Sequence, residues 1–267
     1  MKRIGLMLMV VGVVLIAGCA GDDPAGPSGT FGDVSNLQID EAASAGRDIV
    51  LTWDAVDDAD GYVVYYSTDQ STWTEGADVT TTTVTHTADR AYYYAVKAYQ
   101  GTNFSENNSN IVNTLPVDDT VTYTIYDNYS PDTQPSGFIF GVTQGGGQTG
   151  MASSTSFAQD IYAWDLSKGD EDVWLLSGDY GTYGNGKPTM MQEPLAAGYA
   201  DPDGDWYDES YRLYTTDERV FCMLYDGLYA KIYDLSVTAD PASANGTIVS
   251  FSYEIQLLDG VSVFTDK

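Results

Sequence analysis

The sequence predicts an all-β fold of two antiparallel domains in series, the first a sandwich, the second a sandwich or barrel-like structure. Three observations carry this prediction. Short runs rich in Val, Tyr, Thr and Ile alternate apolar with polar positions. Clusters of Gly, Asp, Asn and Ser separate those runs. After residue 18 no stretch keeps a long helical period.

Residues 1–18 precede the fold and read as an export signal. Lys2 and Arg3 form a short positive region, and the apolar run Ile4–Ala17 is fourteen residues long. That is signal-peptide length, whereas a spanning helix needs roughly twenty residues. The run closes on Leu15-Ile16-Ala17-Gly18-Cys19, which resembles the lipobox of bacterial lipoproteins. The resemblance implies that Cys19 is acylated and becomes the first residue of the mature chain. The alternative is an ordinary secretion signal with an incidental cysteine. Lipid would make the membrane a partner, because two or more acyl chains anchor stably where one binds marginally. Ala20, in place of an aspartate, implies by the same resemblance an outer-membrane or cell-surface location. Residues 19–31 form a Gly/Pro/Ser-rich tether with no capacity to bury a core.

In residues 32–115 the alternation is regular. Ile49, Leu51 and Trp53 share one face, as do Tyr62, Val64 and Tyr66, and then Tyr92, Tyr94, Val96 and Ala98. Shorter runs around Val84 and Ile111 bring the count to about seven strands. Leu51-Thr52-Trp53-Asp54-Ala55-Val56, Ala59 to Tyr65, Tyr92 to Tyr99 and Ser105-Glu106-Asn107-Asn108-Ser109 together resemble a fibronectin type III domain in order and spacing. The resemblance implies an immunoglobulin-like sandwich with Trp53 in the core and Tyr92 at the tyrosine-corner position. It also implies a spacer or recognition module in place of a catalyst. No Arg-Gly-Asp occurs.

Leu115-Pro116-Val117-Asp118-Asp119 reads as the joint, and residues 118–267 as the second antiparallel domain. Its strand-like segments are Val121–Tyr126, Gly137–Val142, Asp160–Trp164, Val173–Leu176, Tyr211–Tyr214, Val220–Tyr225, Tyr229–Val237 and Ile248–Ile255. Asp226 to Ile232, Phe251 to Gln256 and the stretch Gly260–Phe264 resemble the C-terminal half of HmuY-like lipoproteins. Those are all-β, surface-anchored and, in their best-known members, haem-binding.

Charge and rare residues exclude several function classes. The chain carries 39 acidic and 11 basic residues, a net charge of -28. Such a surface repels nucleic acid, which requires basic patches. If Cys19 carries lipid, Cys222 has no disulfide partner; its apolar run makes it a small buried hydrophobe. His86 is the only histidine. It is read as a strand residue at the domain surface, and its solitude rules out Ser-His-Asp catalysis and multi-nitrogen zinc sites. Bis-histidine haem ligation is excluded for the same reason, which leaves Met190 and Met191 as the sulfur pair a haem-binding alternative would need.

Two candidate sites remain. Asp201, Asp203, Asp205, Asp208 and Glu209 form the densest acidic cluster. Calcium, the one cofactor such carboxylates suggest, takes six to eight oxygens at about 2.4 Å; the competing reading is a solvated acidic turn. Tyr180 and Tyr183, in the Gly-rich stretch to Gly186, read as a flexible aromatic loop able to touch a ligand. The expectation drawn from these features is a membrane-anchored, non-enzymatic surface module for ligand capture, adhesion or scaffolding. An accessory glycan-binding or glycan-degrading protein is the alternative, with extracellular protein or glycan as partner and no nucleic acid.

Overall fold

The computed structural model describes residues 32–166, 173–193, 198–202, 204–207, 210–213 and 219–267. The export signal, Cys19 and the tether lie outside the described residues. The first sandwich is built from β1 (Gln38–Ile39), β2 (Asp48–Thr52), β3 (Gly61–Ser67), β4 (Thr74–Val79), β5 (Thr83–Thr87), β6 (Tyr93–Gln100), β7 (Asn103–Phe104) and β8 (Val112–Asn113). One sheet has the order β1-β2-β5; the other runs β4-β3-β6, with β7 and β8 both paired to β6. This two-sheet antiparallel sandwich has the architecture that the fibronectin type III resemblance implies. Period two puts Ile49 and Leu51 on the inner face, where both are fully buried against Tyr94, Val96 and Ala98. Trp53 meets Tyr62 edge-on at 5.5 Å. The Tyr62 hydroxyl accepts the Val56 N–H at 2.9 Å.

Three local expectations shift. Ile111 is 43% exposed and lies outside the last strand; Val112, one residue on, turns to the core. Tyr92 sits at a corner, but its hydroxyl donates to the Asp89 carboxylate at 2.5 Å and not to backbone. His86 is half-buried on the inward side of β5, stacked on Tyr66 at 4.8 Å, with Nδ1 3.0 Å from the Tyr94 hydroxyl.

The second sandwich comprises β9 (Val117–Tyr126), β10 (Gly137–Ile139), β11 (Gln148–Gly150), β12 (Ile161–Asp165), β13 (Val173–Ser177), β14 (Met190–Gln192), β15 (Ser210–Arg212), β16 (Val220–Met223), β17 (Tyr229–Ala239) and β18 (Thr247–Gln256). Its sheets are ordered β11-β10-β12-β13-β15 and β14-β16-β17-β18-β9, antiparallel throughout. Each sheet keeps two edges, so the domain is a sandwich and not a barrel. Phe138, Ile161, Leu175, Ile232, Phe251 and Cys222 fill the space between the sheets. Cys222 is the buried hydrophobe expected, and burial pushes its thiol pKa up. The predicted joint is shorter than Leu115–Asp119. Val117, Asp118 and Asp119 already pair with Ile255, Glu254 and Tyr253, so β9 starts inside it.

The two sandwiches share a closing segment. Val261 and Val263 are fully buried in the core of the first sandwich, and Val261 bridges to Gly46. Ser262 and Phe264, of the other parity, turn to the second. Ser262 Oγ donates to Ala200 O at 2.8 Å, and Phe264 packs on Phe221 at 5.2 Å. Backbone hydrogen bonds from Gly46 to Gly260, Ser262 to Gly46 and Ala91 to Phe264 hold the segment in place. Beneath it lies Lys231–Glu254, a cross-strand ion pair at 2.9 Å with both side chains fully buried. The Lys231 ammonium also donates to Thr265 O at 2.7 Å. Buried charges survive only when paired and hydrogen-bonded, and the closing segment supplies part of that satisfaction.

Candidate functional site

A concave surface lies on the outer face of the β12–β13 sheet. Alternation sends Ile161, Ala163, Val173 and Leu175 into the core. It therefore sends Tyr162, Trp164, Trp174 and Leu176 outward. Register sets Trp164 opposite Trp174 and Tyr162 opposite Leu176. Side chains facing each other across antiparallel strands stand about 5 Å apart, so the pairs form one apolar shelf. With Leu166, Tyr180, Gly181, Thr182 and Ser210 they line a groove of about 290 Å³.

The wall of the groove is held firmly. Tyr180 leads into a 3-10 turn, Gly181–Tyr183. Gly181 has φ +64°, a conformation that favours glycine. Tyr162 is fully buried and donates its hydroxyl to Tyr180 O at 2.7 Å, while burial raises its pKa to about 12. Tyr183 packs edge-on against Tyr162 and Trp164, at 5.7 and 5.5 Å. Gln159, also fully buried, donates Nε2 to Tyr183 O at 2.8 Å and to Gly178 O at 3.3 Å. Asn185 Nδ2 donates to Ser154 O at 2.7 Å. The stretch read as a flexible loop is thus tied at its base; Tyr180 lines the groove, while Tyr183 packs on Tyr162 and Trp164 outside the lining. Tyr180 is 39% exposed at its lip, and Tyr183 supports it from behind.

The sequence reading overlooked Trp164 and Trp174. Their signal was present: both are indoles on the face opposite to Ile161, Ala163, Val173 and Leu175.

The other candidates fare differently. Asp203, Asp208 and Glu209 lie outside the described residues. Asp201 and Asp205 lie in the described part, where Asp201 exchanges backbone hydrogen bonds with the Gln192 side chain. Among the described residues no three His, Cys, Asp or Glu side chains converge on a metal position. Met190 and Met191 are consecutive residues of β14, so they face opposite ways. Met191 is fully buried in the core, and the pair cannot serve one haem. A smaller cavity of about 70 Å³ is lined by Asp160, Lys187, Asp226, Tyr225 and apolar residues. Burial pushes the Asp160 carboxyl up, opposed by the Phe140 N–H at 2.8 Å and by Lys187 at 3.5 Å.

Fold and site together define an all-β protein of two joined sandwiches with an aromatic groove on the second. No family model matches the chain, and no curated protein matches it significantly. Among solved structures it is similar to a Fn3-like protein from Clostridium thermocellum, with 27% identity over 32% of this chain and 92% of that one, at a TM-score of 0.28. It is similar to the fn3 domain of the human collagen alpha-1(XX) chain at 22% identity, covering 34% and 89% of the two chains, with a TM-score of 0.26. The FN1–FN3 domains of chicken CNTN1 share 10% identity over 86% and 90%, again at 0.26. At such TM-scores the likenesses carry no argument, and the fold rests on the strand order and packing described above.

Proposed function

We propose that the chain is a non-enzymatic capture module, held to the outer membrane or cell surface through lipid on Cys19, with the β12–β13 groove as its binding surface. The observation that carries this reading is the groove: the half-buried Trp164 and Trp174 indoles and the exposed Tyr180 phenol gather in one concavity with polar groups at its edge. The lipobox-like residues Leu15 to Cys19 support the anchor, and the tether that follows would let the sandwiches stand off the bilayer. His86, the sole histidine, is enclosed among tyrosines 66, 92 and 94, which speaks against a histidine-based reaction at the groove.

Two measurements test the reading. Intact mass of the mature protein should show an acylated Cys19, and Cys19→Ala should move the protein from the membrane to the soluble fraction. An unmodified cysteine in a membrane-free protein overturns the anchor. For the groove, the neutral fluorophore N-phenyl-1-naphthylamine should brighten on binding the intact chain and lose that response in Trp174→Ala. An unchanged response in the variant would place capture elsewhere.

A further inference from the structure

The chemistry of the groove narrows its ligand. Resting on the reading of the groove as the capture surface, we propose that it takes the uncharged sugar rings of a neutral glycan.

The first argument is charge. In a chain with 39 acidic and 11 basic residues, none of the described residues lining the groove carries a charge. A cationic ligand would meet no carboxylate among the described lining residues, and an anionic one would approach against a net charge of -28. The second argument is the mixture of surfaces. Trp164, Trp174 and Tyr180 offer aromatic surface, while Thr182 and Ser210 bring hydroxyls to the same groove. A pyranose ring has that combination in reverse: an apolar C–H face that packs on an aromatic ring, and a rim of hydroxyls needing partners. A wholly apolar ligand would offer the Thr182 and Ser210 hydroxyls no hydrogen-bond partner.

The third argument is rigidity and size. Tyr162, Trp164 and Tyr183 lock one another edge-to-face, with Tyr162 and Trp164 at 88°. The surface is therefore set before a ligand arrives, which reduces the ordering cost of binding. About 290 Å³ sits at the lower end of small-molecule sites and suits one or two rings. A protein partner would require roughly 800 Å² of buried surface on each side.

The test is calorimetric titration of the full chain with the hexasaccharides of cellulose, xylan, mannan and amylose. A hexagalacturonide serves as the anionic comparison, and N-phenyl-1-naphthylamine as the apolar one. At least one neutral hexasaccharide should bind, and the galacturonide should not. Trp164→Ala should weaken the sugar about tenfold, while Tyr225→Ala, an exposed tyrosine outside the groove, should leave it unchanged. Tyr180→Ala, at the exposed lip, repeats the measurement should Trp164→Ala fail to fold. If the naphthylamine binds in a Trp164-dependent way and no sugar does, the sugar assignment falls and the groove stands. If neither binds, both fall. Sugar binding indifferent to Trp164→Ala and Tyr180→Ala, or galacturonide binding as tight as the neutral chains, overturns the assignment as well.

Discussion

His86 sits among Tyr66, Tyr92 and Tyr94, and this setting decides how mild acid acts on the first sandwich. Burial lowers its pKa below the ordinary 6.5, and the Asp89 carboxylate only partly opposes the shift. The unfolded chain thus binds the proton more readily than the folded one. Stability from this residue is fully present above about pH 6.5 and is lost as pH falls through that value towards the depressed folded pKa. Urea midpoints of the intact chain should fall from about pH 7.5 to about pH 5.5, and His86→Gln should flatten that slope. An identical slope in the variant would remove His86 from the account. The sequence showed that the histidine lay in a strand but not which way it faced. Thr-Val-Thr-His-Thr alternates too weakly to choose a face, and only the tyrosines brought in by β3 and β6 make the inward position favourable. Tyr92 shows the same limit: its corner was legible, its partner Asp89 was not.

Strands with clean alternation and a bounding turn were legible at nearly their true ends, as β17 and β18 show. In the second sandwich, those that escaped notice, β11 and β14, are three residues long and take their pairing from longer neighbours. The same dependence hid the groove. Tyr180 and Tyr183 could be noticed as an aromatic stretch, but the tryptophans they join lie on β12 and β13, and only register sets those side by side. In the sequence the closing stretch Gly260–Phe264 stands out only as part of the HmuY-like resemblance. In the structure it alternates between two cores, so each side chain answers to a different sandwich. Phe264 is 1% exposed and packs on Phe221 and over the Lys231 ammonium. Phe264→Ala should cost about 3–5 kcal/mol, measured by chemical denaturation. A loss below about 1 kcal/mol would mean the segment merely lies on the surface.

At the scale of the molecule, two sandwiches that share buried side chains should not melt separately. Residues 34–98 supply most of the first core, yet Val261 and Val263 complete it. Gln256 Nε2 donates both to Thr114 O and to Val263 O, at 2.9 Å each, across the junction. Calorimetry should record one cooperative transition for the intact chain, and ending the chain at Leu257 should lower the melting of both halves. Two resolved transitions in the intact chain would contradict the shared core. Val261 and Val263 thus link the two sandwiches that stand in series on either side of Leu115–Pro116. Synthesis adds a constraint of its own: more than 150 residues must leave the ribosome after Ala98 before Val261 appears. The amino-terminal sandwich has to wait, partly open, for the chain's far end. A polypeptide that cannot finish folding early stays threadable through a narrow pore, so late closure is compatible with the export proposed from Lys2 to Cys19.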